Sequence, residues 1–341
     1  MNKQTDISVV VCTWNRCEML ARALQCLLAQ HADRVSYEVV VVDNNSTDRT
    51  REVVEALIAQ GHVRLRYVCE RMQGLSHARN AGIANANGSV IAFTDDDVRV
   101  ADNWIATIKR AFDEHPDVVC IGGRVLPQWG GEPPAWLTRA HWSPLGAQDY
   151  GPEPFAVGPQ HRVCLIGANL AFRRGVFDRV GLFEPDFQRV KNGIGSNEDV
   201  EFHLRLWRHN ELSLYVPDLL AWGFVPPERL SRSYHRRWHR GHGYYYALLR
   251  EESFERSAGR VLDVPLHVFR QMLTEAAAWL WHRVRGRAEQ AFLSEVRLHF
   301  LTGFISKRSR DCLRRLWRPA PPSLPVAQSE RVGAVTDVSD L

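Results

Sequence analysis

Short apolar runs alternate along the first 125 residues with stretches in which apolar residues recur every three or four positions. The run 7–12 is nearly all apolar, as expected of a strand covered on both faces. Residues 18–30 carry Leu20, Leu24, Leu27 and Leu28 at helical spacing. The same alternation predicts strands at 38–42, 63–68, 90–94 and 118–125, with helices up to about residue 60, over 74–86 and over 104–114. Asp102 is a candidate cap for the last of these. Strands alternating with helices predict an α/β fold, a parallel sheet with helices on both faces. In such sheets ligands bind beyond the carboxyl ends of the strands.

The polar residues at those ends are the chemically informative ones. Asn15 and Arg16 follow the first strand, Asp43 closes the second, and Asp95, Asp96 and Asp97 close the strand that leaves the Asn87-Gly88 turn. Three adjacent carboxylates repel one another, and a hard divalent cation holding a diphosphate would offset them; a solvated acidic loop is the alternative. No glycine-rich phosphate cradle follows the first strand, so a nucleotide would be gripped by side chains and a metal.

Further along, 128–160 is rich in Pro and Gly and reads as loop. Its Trp129, Trp136 and Trp142 either pack on the core or wall a sugar or lipid-linked acceptor. Residues 163–172 read as a strand in which Gly167 and Ala168 permit close backbone approach. Ser196 with Asp199 fits a capping box opening a helix that carries Val200, Leu204 and Trp207.

Charge changes the picture at the C-terminal end. The chain of 341 residues carries a formal +4, distributed as −4 over 1–225, +10 over 226–318 and −2 over the remainder. A diphosphate, an anionic lipid surface or a nucleic acid could each answer such a basic segment. Within it, His235, His239 and His242 share helical spacing beside Arg236 and Arg237, a basic helix end suited to a diphosphate more than to a metal. Residues 262–284 and 292–304 show amphipathic periodicity with many arginines, as in helices packed on a domain or lying on an anionic membrane. The Pro-rich stretch from 319 predicts disorder. The seven cysteines have no regular spacing, which points to free thiols in a reducing compartment. The N-terminus shows no signal peptide, and no apolar run reaches membrane-spanning length.

Taken in order, Thr13-Trp14-Asn15-Arg16, the turn 43–48, Gly74 through Arg79-Asn80 to Gly88, Asp95-Asp96-Asp97, Gly167-Ala168-Asn169 and the segment 197–202 resemble the family 2 glycosyltransferases over residues 7 to about 210. The resemblance implies a GT-A, Rossmann-like, mostly parallel sheet over 1–225, followed by a basic helical extension over 226–318 and a disordered tail over 319–341. It implies inverting sugar transfer from a nucleotide-diphosphate sugar to a saccharide or lipid-linked acceptor, in cell-surface polysaccharide or glycolipid synthesis. Thr13, Asn15, Arg16, Asp43, Asn45, Arg79, Asp95 and Asp96 would bind the donor, and Asp97 with Asp95 would hold Mg²⁺ or Mn²⁺. Gly167, Ala168 and Asn169 would floor the sugar site, Arg236 and Arg237 would face the diphosphate, and Asp199 beside Glu198 would be the general base. The expected setting is cytoplasmic, with a possible anionic membrane partner for 226–318 and no nucleic acid. A sugar nucleotidyltransferase would need a glycine-rich, Lys/Arg-containing signature that 13–17 lacks. A catalytically inactive sugar- or lipid-binding module would have no use for the full acidic set.

Overall fold

Val9 and Val11 of the first strand face one helical layer while Val10 faces another, and that is why the strand reads as an unbroken apolar run. The computed structural model describes residues 5–32, 34–62, 64–188, 193–255 and 259–317. Val63, the expected start of the third strand, and the tail 319–341 lie outside them.

The chain runs β1 (Ile7–Thr13), α1 (Cys17–Leu28), β2 (Tyr37–Asp43), α2 (Thr50–Ala59), β3 (Leu65–Cys69), α3 (Leu75–Asn85), β4 (Val90–Asp95), β5 (Val98–Val100) and α4 (Trp104–Glu114). It continues with β6 (Val118–Trp129), β7 (Phe155–Val157), β8 (Asn169–Arg173), α5 (Val176–Val180), α6 (Glu198–Arg208) and β9 (Leu212–Val225). The C-terminal part comprises α7 (Arg232–Tyr246), α8 (Glu252–Glu255), β10 (Arg260–Val261), β11 (Val264–Pro265), α9 (Leu266–Val284) and α10 (Ala288–Leu316).

Among the described residues the main sheet has the order β3-β2-β1-β4-β8-β6-β9-β5, with β7 on β9. The pairs β1·β2, β2·β3, β1·β4 and β6·β9 are parallel, and β8 enters antiparallel between β4 and β6. Apolar residues of α1, α2 and α4 cover one face, and those of α3, α5 and α6 cover the other. Register fixes the rim: Thr13 lies opposite Asp43, and Cys12 opposite Asp95, so β1, β2 and β4 end together.

Several local expectations change. Asn103, not Asp102, is at the N-cap of α4, and no side chain caps that helix. The strand expected over 163–172 begins at Asn169. The middle loop holds two 3-10 turns (Arg139–His141 and Ser143–Leu145) and β7, while β6 runs on to Trp129. Trp129, Trp136 and Trp142 pack around Leu137, Leu145 and Val225; Trp129 and Trp136 follow the core alternative, while Trp142 also lines the cleft.

The basic segment folds back as helices. The close crossing of α7 and α10 needs glycine twice, because a Cβ at Gly243 would strike the Phe300 backbone and one at Gly303 the Arg240 backbone. Val264 and Val268 join Leu301 and Phe304 in a small core beneath. His235 is fully buried against Trp136, His141 and Phe292. Among the described residues no His, Cys, Asp or Glu cluster is gathered to hold an ion by itself.

Burial, reinforced by neighbouring His141, pushes the His235 pKa down to about 4. Its folded pKa lies below its unfolded value, so the unfolded chain binds the extra proton between about pH 6.5 and 4. The contribution is present above that window and is lost as pH falls through it, by up to about 1.4 kcal/mol per pH unit. The midpoint of thermal unfolding should therefore fall less steeply over that window in His235→Phe than in the wild type. Parallel curves would show that His235 titrates normally.

Candidate active site

β1 and β4 deliver the first half of the site as their strands end. Thr13 Oγ1 donates to Asp96 Oδ2 at 2.8 Å. Arg16 Nη1 bridges Asp96 Oδ1 and Asp97 Oδ2, each at 3.0 Å. Arg229, just before α7, reaches Asp97 at 4.0 Å, and the Asp97 carbonyl accepts Phe224 N–H of β9. Burial, with Asp97 alongside, pushes the Asp96 carboxyl up to about 6 despite Arg16. Asp95 lines the same cleft.

Asn15 holds the neighbouring loop in place. It adopts a left-handed backbone (φ 52), which asparagine tolerates, and its Oδ1 accepts Thr47 N–H at 2.7 Å. Asp43 is buried, with its oxygens taken by Ser46 N–H and the Tyr67 hydroxyl. Asn44 lines the cleft, whereas buried Asp43 and exposed Asn45 do not. The Asn44 side chain receives Gly74 N–H and donates to the carbonyls of Glu70 and Met72, fixing the approach to α3.

The second half is built around Arg79 of α3. Its guanidinium is buried beside the rings of Phe183 and Phe93 and donates from Nη1 to Asp199 Oδ1 at 2.6 Å and Glu198 Oε1 at 3.3 Å. The other Asp199 oxygen accepts Gly167 N–H at 2.9 Å. This overturns the capping-box reading: Asn197 is at the N-cap of α6, no side chain caps the helix, and Asp199 turns to Arg79 instead. Gly167 is obligatory, since a Cβ there would lie 2.8 Å from Asp199 Oδ1 and collide with the guanidinium. Burial, then the neighbouring Asp199 charge, raises the Glu198 pKa, with Arg79 opposing. The Asp199 side chain is 19% exposed and the Glu198 side chain 4%, so Asp199 is the more accessible of the two.

Both halves open into one cleft of about 1050 Å³. Gly167 and Ala168 line it, but Asn169 does not. Asn169 is consumed by the sheet, accepting from Trp104 Nε1 and donating to the carbonyls of Arg124 and Leu219. Arg237 lines the cleft; Arg236 instead pairs with Glu295 of α10 at 2.7 Å. The sequence reading gave Trp238 no role, yet it stacks on His242 at 4.6 Å and both line the cleft from α7; Trp-x-x-x-His is a helical i, i+4 signal. The sequence reading also missed Gln188, whose Oε1 accepts Ser76 N–H at the start of α3 across 112 residues, with no local signature.

A largely parallel sheet flanked by helices and ending in an acidic rim matches glycosyltransferase structures of the GT-A fold. The glycosyl transferase family 2 profile matches residues 8–181, and the chain belongs to that family. It is 28% identical over 185 residues to a glucosyl-dolichyl phosphate glucuronosyltransferase of Haloferax volcanii, covering 54% of this chain and 57% of that one. It is 27% identical over 248 residues to a validoxylamine A glucosyltransferase of Streptomyces hygroscopicus, covering 65% and 55%. The chain thus spans about half the length of these two relatives. Among solved structures, the mannosyltransferase PcManGT of Pyrobaculum calidifontis, in complex with GDP-Man and Mn²⁺, superimposes with TM-score 0.55 at 19% identity, covering 88% of each chain. S. aureus TarS 1-349 superimposes with TM-score 0.52 at 16% identity, covering 92% and 93%.

Removing one member of a buried ion pair leaves the others uncompensated, at a cost of about 3–5 kcal/mol. Arg79→Gln should accordingly lower the urea-unfolding free energy by about that much. A loss below about 1 kcal/mol, the scale of an exposed pair, would mean the carboxylates find water instead.

Proposed function

We propose that the protein transfers a sugar from a nucleotide-diphosphate sugar to an acceptor hydroxyl, with inversion at the anomeric carbon. One observation carries this reading: the Asp199 side chain is held by Arg79 and the Gly167 N–H in the cleft that also contains Asp95, Asp96 and Asp97. Each carboxylate oxygen has a second lone pair, so Asp199 can still accept a proton. As the acceptor oxygen attacks the anomeric carbon, its proton passes to Asp199. The bond from that carbon to the diphosphate breaks, and its electron pair leaves with the nucleotide. Attack opposite the leaving group inverts the configuration.

Thr13 and Arg16 orient the acidic turn, and Arg237, which pairs with no carboxylate among the described residues, is available to the diphosphate. Asp43 and Asn45 serve the base and ribose by shaping the loop that begins at Asn44. The donor set fits a hard cation: carboxylates stand at the cleft, and Mg²⁺ or Mn²⁺ needs one or two of them besides substrate phosphates. Asp97 and Asp95 would hold the ion, which would offset the charge of the departing diphosphate. PcManGT, whose complex contains Mn²⁺, supports this, as does the UDP-GlcNAc complex of TarS for the donor class. The acceptor is a saccharide or a lipid-linked sugar in polysaccharide or glycolipid synthesis, an assignment the Haloferax relative and a succinoglycan biosynthesis protein of Rhizobium meliloti support. The free cysteines support a cytoplasmic setting, at the membrane when the acceptor is lipid-borne.

Screening nucleotide-sugars with Mn²⁺ should identify one that releases nucleoside diphosphate and yields a product of opposite anomeric configuration. Asp97→Asn should abolish the Mn²⁺-dependent part of donor binding while leaving thermal unfolding near wild type. Donor binding with unchanged Mn²⁺ dependence in that variant, or release of pyrophosphate in place of the diphosphate, would refute the assignment.

A further inference from the structure

We propose that α9 docks the protein on an anionic lipid surface through its outward face. One side of α9 belongs to the fold: Val268 is fully buried, and Phe269 and Met272 pack beside it against Leu301 and Phe304 of α10. Beside that contact, a second side repeats apolar residues at helical spacing. Leu266, Leu273, Leu280 and Val284 are 50%, 73%, 56% and 79% exposed, with Trp281 at 54% beside them. A helix lying on a globular domain ordinarily turns polar residues outward. An exposed apolar stripe of this kind marks a contact.

The charges around the stripe select the partner. Arg270 is exposed within it, and Arg283, Arg285 and Arg287 are exposed at its end. Among the described residues none of these four pairs with a carboxylate, because nearby acids are taken elsewhere. Glu275 bonds Arg297 of α10, and Asp263 receives Arg250 and Arg315. The Arg285 guanidinium sits 3.7 Å from the Trp281 ring centre, placing a cation and an interfacial aromatic together. In a headgroup layer the leucines enter the acyl boundary while the arginines extend to the phosphates. A second copy related by two-fold symmetry would set the same arginines against one another. A nucleic acid would neutralise them and leave the leucines in water. An anionic lipid surface satisfies both, and no described helix is long and apolar enough to cross it. The inference rests on the proposed function for its use, a lipid-borne acceptor. Its test needs neither donor nor acceptor, so failure of one leaves the other standing.

The full chain should sediment with vesicles of phosphatidylglycerol in phosphatidylcholine, not with phosphatidylcholine alone, and salt should release it as surface charges are screened. Leu273→Glu with Leu280→Glu should weaken the partition by about tenfold or more. The triple change Arg270→Gln, Arg283→Gln and Arg285→Gln should lower it independently, so either set reports if the other misfolds. Absence of sedimentation at low salt, or equal binding by these variants, would overturn the proposal. So would a concentration-dependent dimer in light scattering that the leucine substitutions abolish, because the face would then join two copies of the chain.

Discussion

A guanidinium only 4% exposed must be neutralised where it sits, and that need draws together three segments far apart in sequence. Arg79 from α3, the Glu198-Asp199 pair opening α6, and the Gly167 turn before β8 meet because none can be buried there alone. Taking such charges from water costs several kcal/mol per ion, and the geometry must return it. Asp199 does so with both oxygens engaged, and the rings of Phe183 and Phe93 cover the cation. One arrangement thereby positions α6 on the sheet and places the Asp199 side chain at the cleft.

The acidic rim obeys a different constraint. Parallel register makes β1, β2 and β4 end together, so chemistry at one strand end is automatically beside chemistry at the next. Arg16 and Arg229 then converge on Asp97, Arg229 arriving from the far side of the sheet through β9. The helix α7 closes this half, supplying Arg237, Trp238 and His242 to the cleft while its buried flank crosses α10 through paired glycines. The basic extension is thus a wall of the site, with α9 carried on its outer side.

What was legible in the sequence was whatever is governed by neighbours in the chain. The apolar runs gave the strands because both faces of β1 and β2 are covered, and helical spacing gave α1 and α4. The rim followed from knowing where parallel strands end. Long-range bonds were not legible: Asn169 reads like a ligand beside Gly167, yet Trp104 and two distant carbonyls consume it. Ser196 and Asp199 have the spacing of a cap, but a buried arginine 120 residues away outbids a local N–H for the carboxylate. Arg236 and Arg237 are adjacent in sequence, and helical geometry sends one to α10 and the other to the cleft.

The claim that Asp199 is a base held by Arg79, and not a helix cap, is tested most directly by the transfer rate of Asp199→Asn at saturating donor and acceptor. The amide keeps the size and some of the hydrogen bonding but cannot take the proton. Turnover should fall by about 10²–10⁴, the usual contribution of a positioned base, with donor affinity near wild type and Glu198→Gln the milder change. Retention of more than about a tenth of wild-type turnover, less than the smallest loss expected of a base, would contradict the account.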